Sequence, residues 1–157
     1  MYGTKTITLT PTNGNYNEER IYMNNWLFPC NVKQYDPIGA FAELQNIDWR
    51  QSVKLEVGDE VFIYCSKPYQ RIMFRTIVKE CNIPSSKVDK SDLKFSKDNE
   101  EIGKEPRFGY AKLHLLNCRD SKELSLKSIV KYGIEKAPQG PMKISDELYG
   151  YLTQYLC

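Results

Sequence analysis

A mixed α+β fold, a strongly curved sheet or barrel flanked by helices, is what this sequence predicts. Three observations carry that reading. Alternating, β-prone runs recur between residues 51 and 117. One of them, Glu60–Cys65, is apolar on both faces: Val61, Ile63 and Cys65 on one, Phe62 and Tyr64 on the other. A strand with two apolar faces is a central strand covered on both sides. Finally, three stretches carry helix signals rather than strand signals.

In chain order, residues 5–10 (KTITLT) are β-prone, and 11–19 (PTNGNYNEE) is a turn-rich connector. Tyr22–Phe28 reads as a strand entering the core, stopped by Pro29. Asp36-Pro37 is a helix start, with Asp as cap and Pro at the first helical position; Ile38, Phe41 and Leu44 follow at helical spacing, giving a helix over 36–46. Gln45–Ser52 is a polar run containing Trp49 and reads as a loop. Val57-Gly58-Asp59 is a turn, and the strands at 60–65 and 71–79 flank the loop Ser66–Gln70. Residues 84–106 are rich in charge, Ser and Pro and read as a mobile surface insertion. A strand at 108–116 follows, then a helix at 124–132 ended by Gly133, and a last helix at 146–156 after Ser145. At 157 residues this is one domain, 1–157, with 1–21 as an N-terminal extension.

Composition narrows function by exclusion. A net charge of +2 argues against binding nucleic acid by bulk charge, though not against a basic face balanced elsewhere. Five scattered Cys without a C-x-x-C pair read as the reduced thiols of a cytoplasmic protein. With His114 as the one histidine, no His-rich metal site exists, and neither metal nor cofactor is expected. No apolar run reaches membrane-spanning length. No nucleophile elbow, phosphate-binding loop, zinc-protease or dinucleotide motif is present, and His114 lies mid-strand as a structural or solvated residue, so no catalytic residue is assigned.

The aromatic residues, 12% of the chain, carry the positive signal. Trp26, Trp49, Tyr64, Phe108 and Tyr110 lie at or beside strands. For each alone core packing is the better reading, because aromatics dominate cores. Trp49, among polar neighbours, stands evenly between core and exposed stacking surface. The basic residues Lys33, Arg50, Lys67 and Arg71 lie in or near three loops. They are either an ordinary solvated surface or, if the loops share one mouth, a phosphate-binding set.

The segment Tyr22–Asn31 (YMNNWLFPCN) resembles the opening of EVE domains, members of the PUA-like group related to YTH domains. Trp49 after a short helix, the strand Val57–Ser66 (VGDEVFIYCS), the next strand at Arg71–Glu80 and the loop Ala137–Met142 (APQGPM) continue the resemblance in order, over residues 22–156. What it implies is a pocket for a flipped, modified base, and a role as the specificity domain of a modification-dependent restriction protein of the McrB or HNH kind. The resemblance then assigns Trp49 as a cage residue with Ser52 in the segment after it. Cys30 and Asn31 fall on the base-contacting loop, Tyr64 and Ser66 on the following strand, Phe108 or Tyr110 on a second wall, and Gln139 and Met142 on the closing loop. The expected partner is modified double-stranded DNA, and the expected base is a methylated one such as 5-methylcytosine. The chain itself is then no enzyme, and any nuclease or NTPase effector lies on another domain or subunit. The alternatives left open are a modified-RNA reader, an ASCH-type PUA-like hydrolase of a modified nucleoside, and an interaction module without a pocket.

Overall fold

Glu60–Cys65 is buried along its whole length, and its two-faced pattern organises the molecule. A computed structural model describes residues 2–8, 18–97 and 105–157, with side chains from Met23 onward. The strands are β1 (Tyr2–Thr8), β2 (Glu18–Cys30), β3 (Asn46–Arg50), β4 (Glu60–Cys65), β5 (Arg71–Ile83), β6 (Tyr110–Cys118) and β7 (Met142–Lys143). The helices are α1 (Pro37–Glu43), α2 (Leu126–Ile129) and α3 (Asp146–Tyr155). The sheet runs β1-β2-β4-β5-β6-β3, with β7 added to β2. β2 and β4 are parallel and the other pairs antiparallel. Among the described residues no ladder closes this α+β sheet into the expected barrel.

The alternation along β4 separates two cores. Val61, Ile63 and Cys65 join Phe28, Phe41 and Leu113 on one side. Phe62 and Tyr64 join Leu124, Ile129, Leu148 and Leu152 on the other, under α2 and α3. A strand that must bury both faces can only be central, so its neighbours follow from its composition.

Local signals hold at the helix starts. The Asp36 carboxylate accepts the Gly39 N–H at 3.0 Å, and the Ser145 hydroxyl accepts the Leu148 N–H at 3.1 Å. Gly133 ends its segment at φ +93° as expected, although only Leu126–Ile129 is α-helical there, between single 3₁₀ turns. Three boundaries differ from the sequence reading. β2 continues through Pro29 to Cys30. β7 pairs only with Trp26 and Leu27, so beyond Leu27 that side of β2 has no described ladder for a missing N–H to break. α1 stops at Glu43 instead of 46, and Gln45–Ser52 is not a loop: β3 occupies most of it as an edge strand against β6. An edge strand tolerates polar residues, which is why this one resembled a loop. The N-terminal stretch contributes β1, antiparallel to β2; the connector over 9–17 lies outside the described residues.

Register shifts interrupt β5–β6 at three places, each a local twist that bends the long strand. At its far end Gly109 takes φ +72°, where an added Cβ would stand 2.5 Å from the Ile83 carbonyl oxygen. Only glycine fits this approach, and it delivers the chain into Tyr110 at the head of β6.

Candidate base-binding pocket

The C-terminal end of β2, the loop that follows it, β3 and the stretch 85–96 enclose a cavity of about 620 Å³. Such a volume lies within the range of small-molecule pockets and has room for a ring system. Cys30 and Asn31 line it from the end of β2, Trp49 and Arg50 from β3, and Tyr110 from β6. These five residues, singled out from sequence and far apart in the chain, meet in one place. The facing contribution comes from Ser85, Val88, Asp89, Lys90, Asp92 and Leu93.

Trp49 is half-buried and packs against the first core. Its ring meets Tyr35 edge to face, centroids 5.6 Å apart at 71°. Tyr35 is fixed in turn by its hydroxyl, which donates to Asp92 Oδ2 at 2.8 Å. Burial, then Asp92, push the Tyr35 phenol well above its ordinary range, so it stays a donor. Burial raises the Asp92 carboxyl, against the Tyr35 hydrogen bond and with repulsion from Asp48 and Asp89. Asp89 is held low by the Ser91 hydroxyl and N–H. Across the β3–β6 ladder Arg50 pairs with Tyr110: its guanidinium carbon lies 5.9 Å from the ring centroid and Nη1 is 3.4 Å from the phenol oxygen.

The wall at 85–97 is anchored to the fold. The Asp89 N–H donates to Asp48 Oδ2 at 2.7 Å, and the Asp36 N–H donates to the Phe95 carbonyl at 2.8 Å. The Ser85 hydroxyl donates to Glu105. Asp48 also meets Lys112, its cross-strand partner, at 3.6 Å.

Cys30 is a neutral thiol. Burial, with Asp36 adding repulsion, pushes its pKa up to about 12. A thiol so raised is a poor nucleophile near neutrality, so Cys30 contributes shape and a weak donor. Among the described residues no cluster of three His, Cys, Asp or Glu side chains forms a metal site, and no helix is long and apolar enough to cross a membrane.

The remaining sequence candidates lie outside this lining. Ser52 is exposed on the loop after β3. Tyr64 is 2% exposed and belongs to the second core, because the alternation of β4 turns it away from Cys65. Ser66 braces the pocket loop from behind, its hydroxyl accepting the Val32 N–H at 3.1 Å. Phe108 stands under Arg107. Gln139 is exposed and turned to the Ala137 carbonyl, and Met142 packs on the second core. Of the four basic residues only Arg50 lines the cavity. Lys33 and Lys67 share a neighbouring cleft, and Arg71 is paired with Asp120 at 2.7 Å. Tyr35, Asp89 and Asp92 escaped the sequence reading. The Tyr35-Asp36-Pro37 helix start was the one signal near them.

The fold is similar to that of a solved ASCH protein. The crystal structure of ASCH from Zymomonas mobilis superposes with a TM-score of 0.58 at 9% identity, over 85% of this chain and 96% of that one. A structure of a mutant of that protein gives the same TM-score and coverage of this chain. A protein from Agrobacterium tumefaciens matches with a TM-score of 0.50 at 12% identity, over 84% and 92% of the two chains. No family model matches the sequence, and no curated protein matches it.

Proposed function

We propose that this chain binds nucleic acid by taking one unstacked base into the Trp49 cavity, with a modified base of DNA as its ligand. The observation that carries this reading is the meeting of Trp49, Tyr35, Tyr110 and Arg50 around one cavity with room for a base. Aromatic faces and a guanidinium plane are the groups on which bases stack. Extracting a base from a duplex costs a few kcal/mol, and stacking on an aromatic returns about 1–3 kcal/mol. Carboxylates in the lining, Asp89 and Asp92, suit an exocyclic amino group, as carried by cytosine and adenine. A methyl group seated among apolar atoms adds roughly 1–3 kcal/mol of discrimination. In this reading the chain is a specificity module, cutting is left to a separate effector, and RNA with the same modification is the nearest competitor.

The test is a binding screen on otherwise identical oligonucleotides carrying 5-methylcytosine, 5-hydroxymethylcytosine, N4-methylcytosine or N6-methyladenine, as DNA and as RNA. One modified DNA should bind about 5- to 150-fold more tightly than its unmodified form, the equivalent of that discrimination. Equal affinity for all members overturns the reader assignment.

A second reading is favoured by a separate observation, the likeness of the fold to ASCH domains. A hydrolase acting on a modified nucleoside needs a cation and a carboxylate in one pocket, and Lys90 lines this cavity with Asp89 and Asp92. Glu60 and Lys67 do not supply that pair. Glu60 is tied to Arg75 and Tyr149, and Lys67 lies in the other cleft. Turnover of modified nucleosides, followed by mass spectrometry, separates the two readings: a reader releases its ligand unchanged.

A further inference from the structure

Beside the base pocket lies a second cleft of about 380 Å³. Lys33, Lys67 and Lys97 converge on it from three parts of the chain: the β2–α1 loop, the β4–β5 hairpin and the end of the 85–97 wall. Their backbones are tied to one another. The Lys33 N–H donates to Asn31 Oδ1 at 3.0 Å, and the Lys97 N–H donates to the Gln34 carbonyl at 2.6 Å. Val32 is held by Ser66, the residue before Lys67, and the Lys97 ammonium reaches back to the Val32 carbonyl at 3.4 Å. All three side chains are exposed, and none lies within 4.0 Å of a described carboxylate. The one acid in the lining, Asp36, has its carboxylate engaged by the Gly39 N–H as a helix cap. Three ammonium groups around one concavity repel one another, and an anion between them relieves that repulsion.

The cleft shares its wall with the base pocket. In the loop 31–36, Asn31, Gln34 and Tyr35 line the pocket, while Val32, Lys33 and Asp36 line the cleft. Ser96 and Lys97 divide between the two in the same way. We infer that the Lys33–Lys67–Lys97 cleft holds a backbone phosphate of the strand whose base occupies the Trp49 pocket. This rests on the base-pocket reading and deepens it: the ligand is a base attached to a phosphodiester chain, not a free nucleoside.

The probe is a short abasic oligodeoxynucleotide, a sugar-phosphate chain without bases, beside the same strand bearing its bases. Each is titrated against the wild type and against Lys33→Gln/Lys67→Gln/Lys97→Gln at 50 and 200 mM salt. One phosphate neutralised on a single strand gives a log–log salt slope of about 0.7, so the fourfold rise in salt weakens wild-type binding through this cleft roughly 3-fold. The triple variant, altered only at exposed side chains, should keep its melting temperature and lose most of that dependence with both strands. Should the triple variant fold poorly, Lys97→Gln alone should weaken abasic-strand binding at 50 mM salt and lower the slope by part of that ~0.7. No abasic-strand binding to the wild type, or equal binding and slope in the variant, overturns the inference. Inorganic phosphate competing as well as the strand, at equal phosphate concentration, overturns the assignment to a strand. Failure of the base-pocket reading looks different: base-bearing and abasic strands would bind the wild type equally while the lysine effect persisted.

Discussion

Trp49→Ala is the perturbation that best separates a stacking surface from a core residue, and Trp26→Ala is its matched control. Trp26 is 7% exposed, lies edge-on to Phe28 at 6.2 Å and donates from Nε1 to Asp59 Oδ2 at 3.2 Å. Truncating such a ring costs about 3–5 kcal/mol of stability. At roughly 2–4 °C per kcal/mol for a chain of this size, the melting temperature should fall by about 6–20 °C. Trp49 is half-buried, and its main ring partner is Tyr35. Losing that edge-to-face pair costs about 0.5–1.5 kcal/mol beyond area, with a smaller burial loss than for Trp26. Its melting temperature should therefore fall much less. Binding should reverse the order: Trp49→Ala loses about 1–3 kcal/mol of base stacking, roughly 5- to 150-fold in affinity, concentrated on base-bearing strands. The assay is built into the composition, because the chain has two tryptophans. In Trp26→Phe the remaining indole reports on the pocket, and a stacked base should quench it. If Trp49→Ala destabilises as much as Trp26→Ala, Trp49 is a core residue. If the variant is stable and keeps its full affinity and preference, no base stacks there.

Two further outcomes follow from buried chemistry and from backbone geometry. Burial raises the Cys30 thiol from its ordinary 9.0 to about 12, so the native state holds the protonated form. That contribution is complete below pH 9 and declines as pH rises toward 12, because the unfolded thiol ionises first. Alkylation at pH 8, read by mass spectrometry, should mark exposed Cys118 and Cys157 well before Cys30, and equal rates would contradict the burial of Cys30. Gly109→Ala forces a Cβ to 2.5 Å from the Ile83 carbonyl oxygen at φ +72°. It should cost about 1–3 kcal/mol in a thermal melt and displace Tyr110; an unchanged melting temperature would mean the chain turns there by another route.

How much of the fold was legible follows from where physical chemistry acts locally. The two-faced pattern of β4 was readable because Val61–Cys65 are apolar on both faces of the strand, and both cores follow from it. Asp36 and Ser145 were readable because a cap needs one side chain and one N–H three residues on. The ends of β2, α1 and β3 were not. Each depends on which neighbour pairs with the strand, and that choice is made by residues far away in sequence. Sheet closure belongs to the same kind: strand patterns specify faces, not whether the last edge meets the first.

The pocket divides along the same line, and the division explains which residues come together. Cys30, Asn31, Trp49, Arg50 and Tyr110 sit at strand ends and on an edge strand, where chain direction alone carries them to one end of the sheet. Tyr64 lies on the central strand, and there the face decides. One step from Cys65 along a pleated strand turns it to the opposite core. The stretch 85–97 misleads in the other direction. Its charges and serines look like solvent-facing residues because composition records solubility, not position. Yet its main-chain groups, the Asp89 N–H, the Phe95 carbonyl and the Lys97 N–H, hydrogen-bond to Asp48, Asp36 and Gln34 and so hold it as the wall of a cavity. That wall supplies Asp89 and Asp92 to the pocket and Lys97 to the adjoining cleft. A ligand spanning both must therefore touch this segment twice, once with a ring edge and once with an anion, and a strand carrying base and phosphate together meets that demand where a free nucleoside does not.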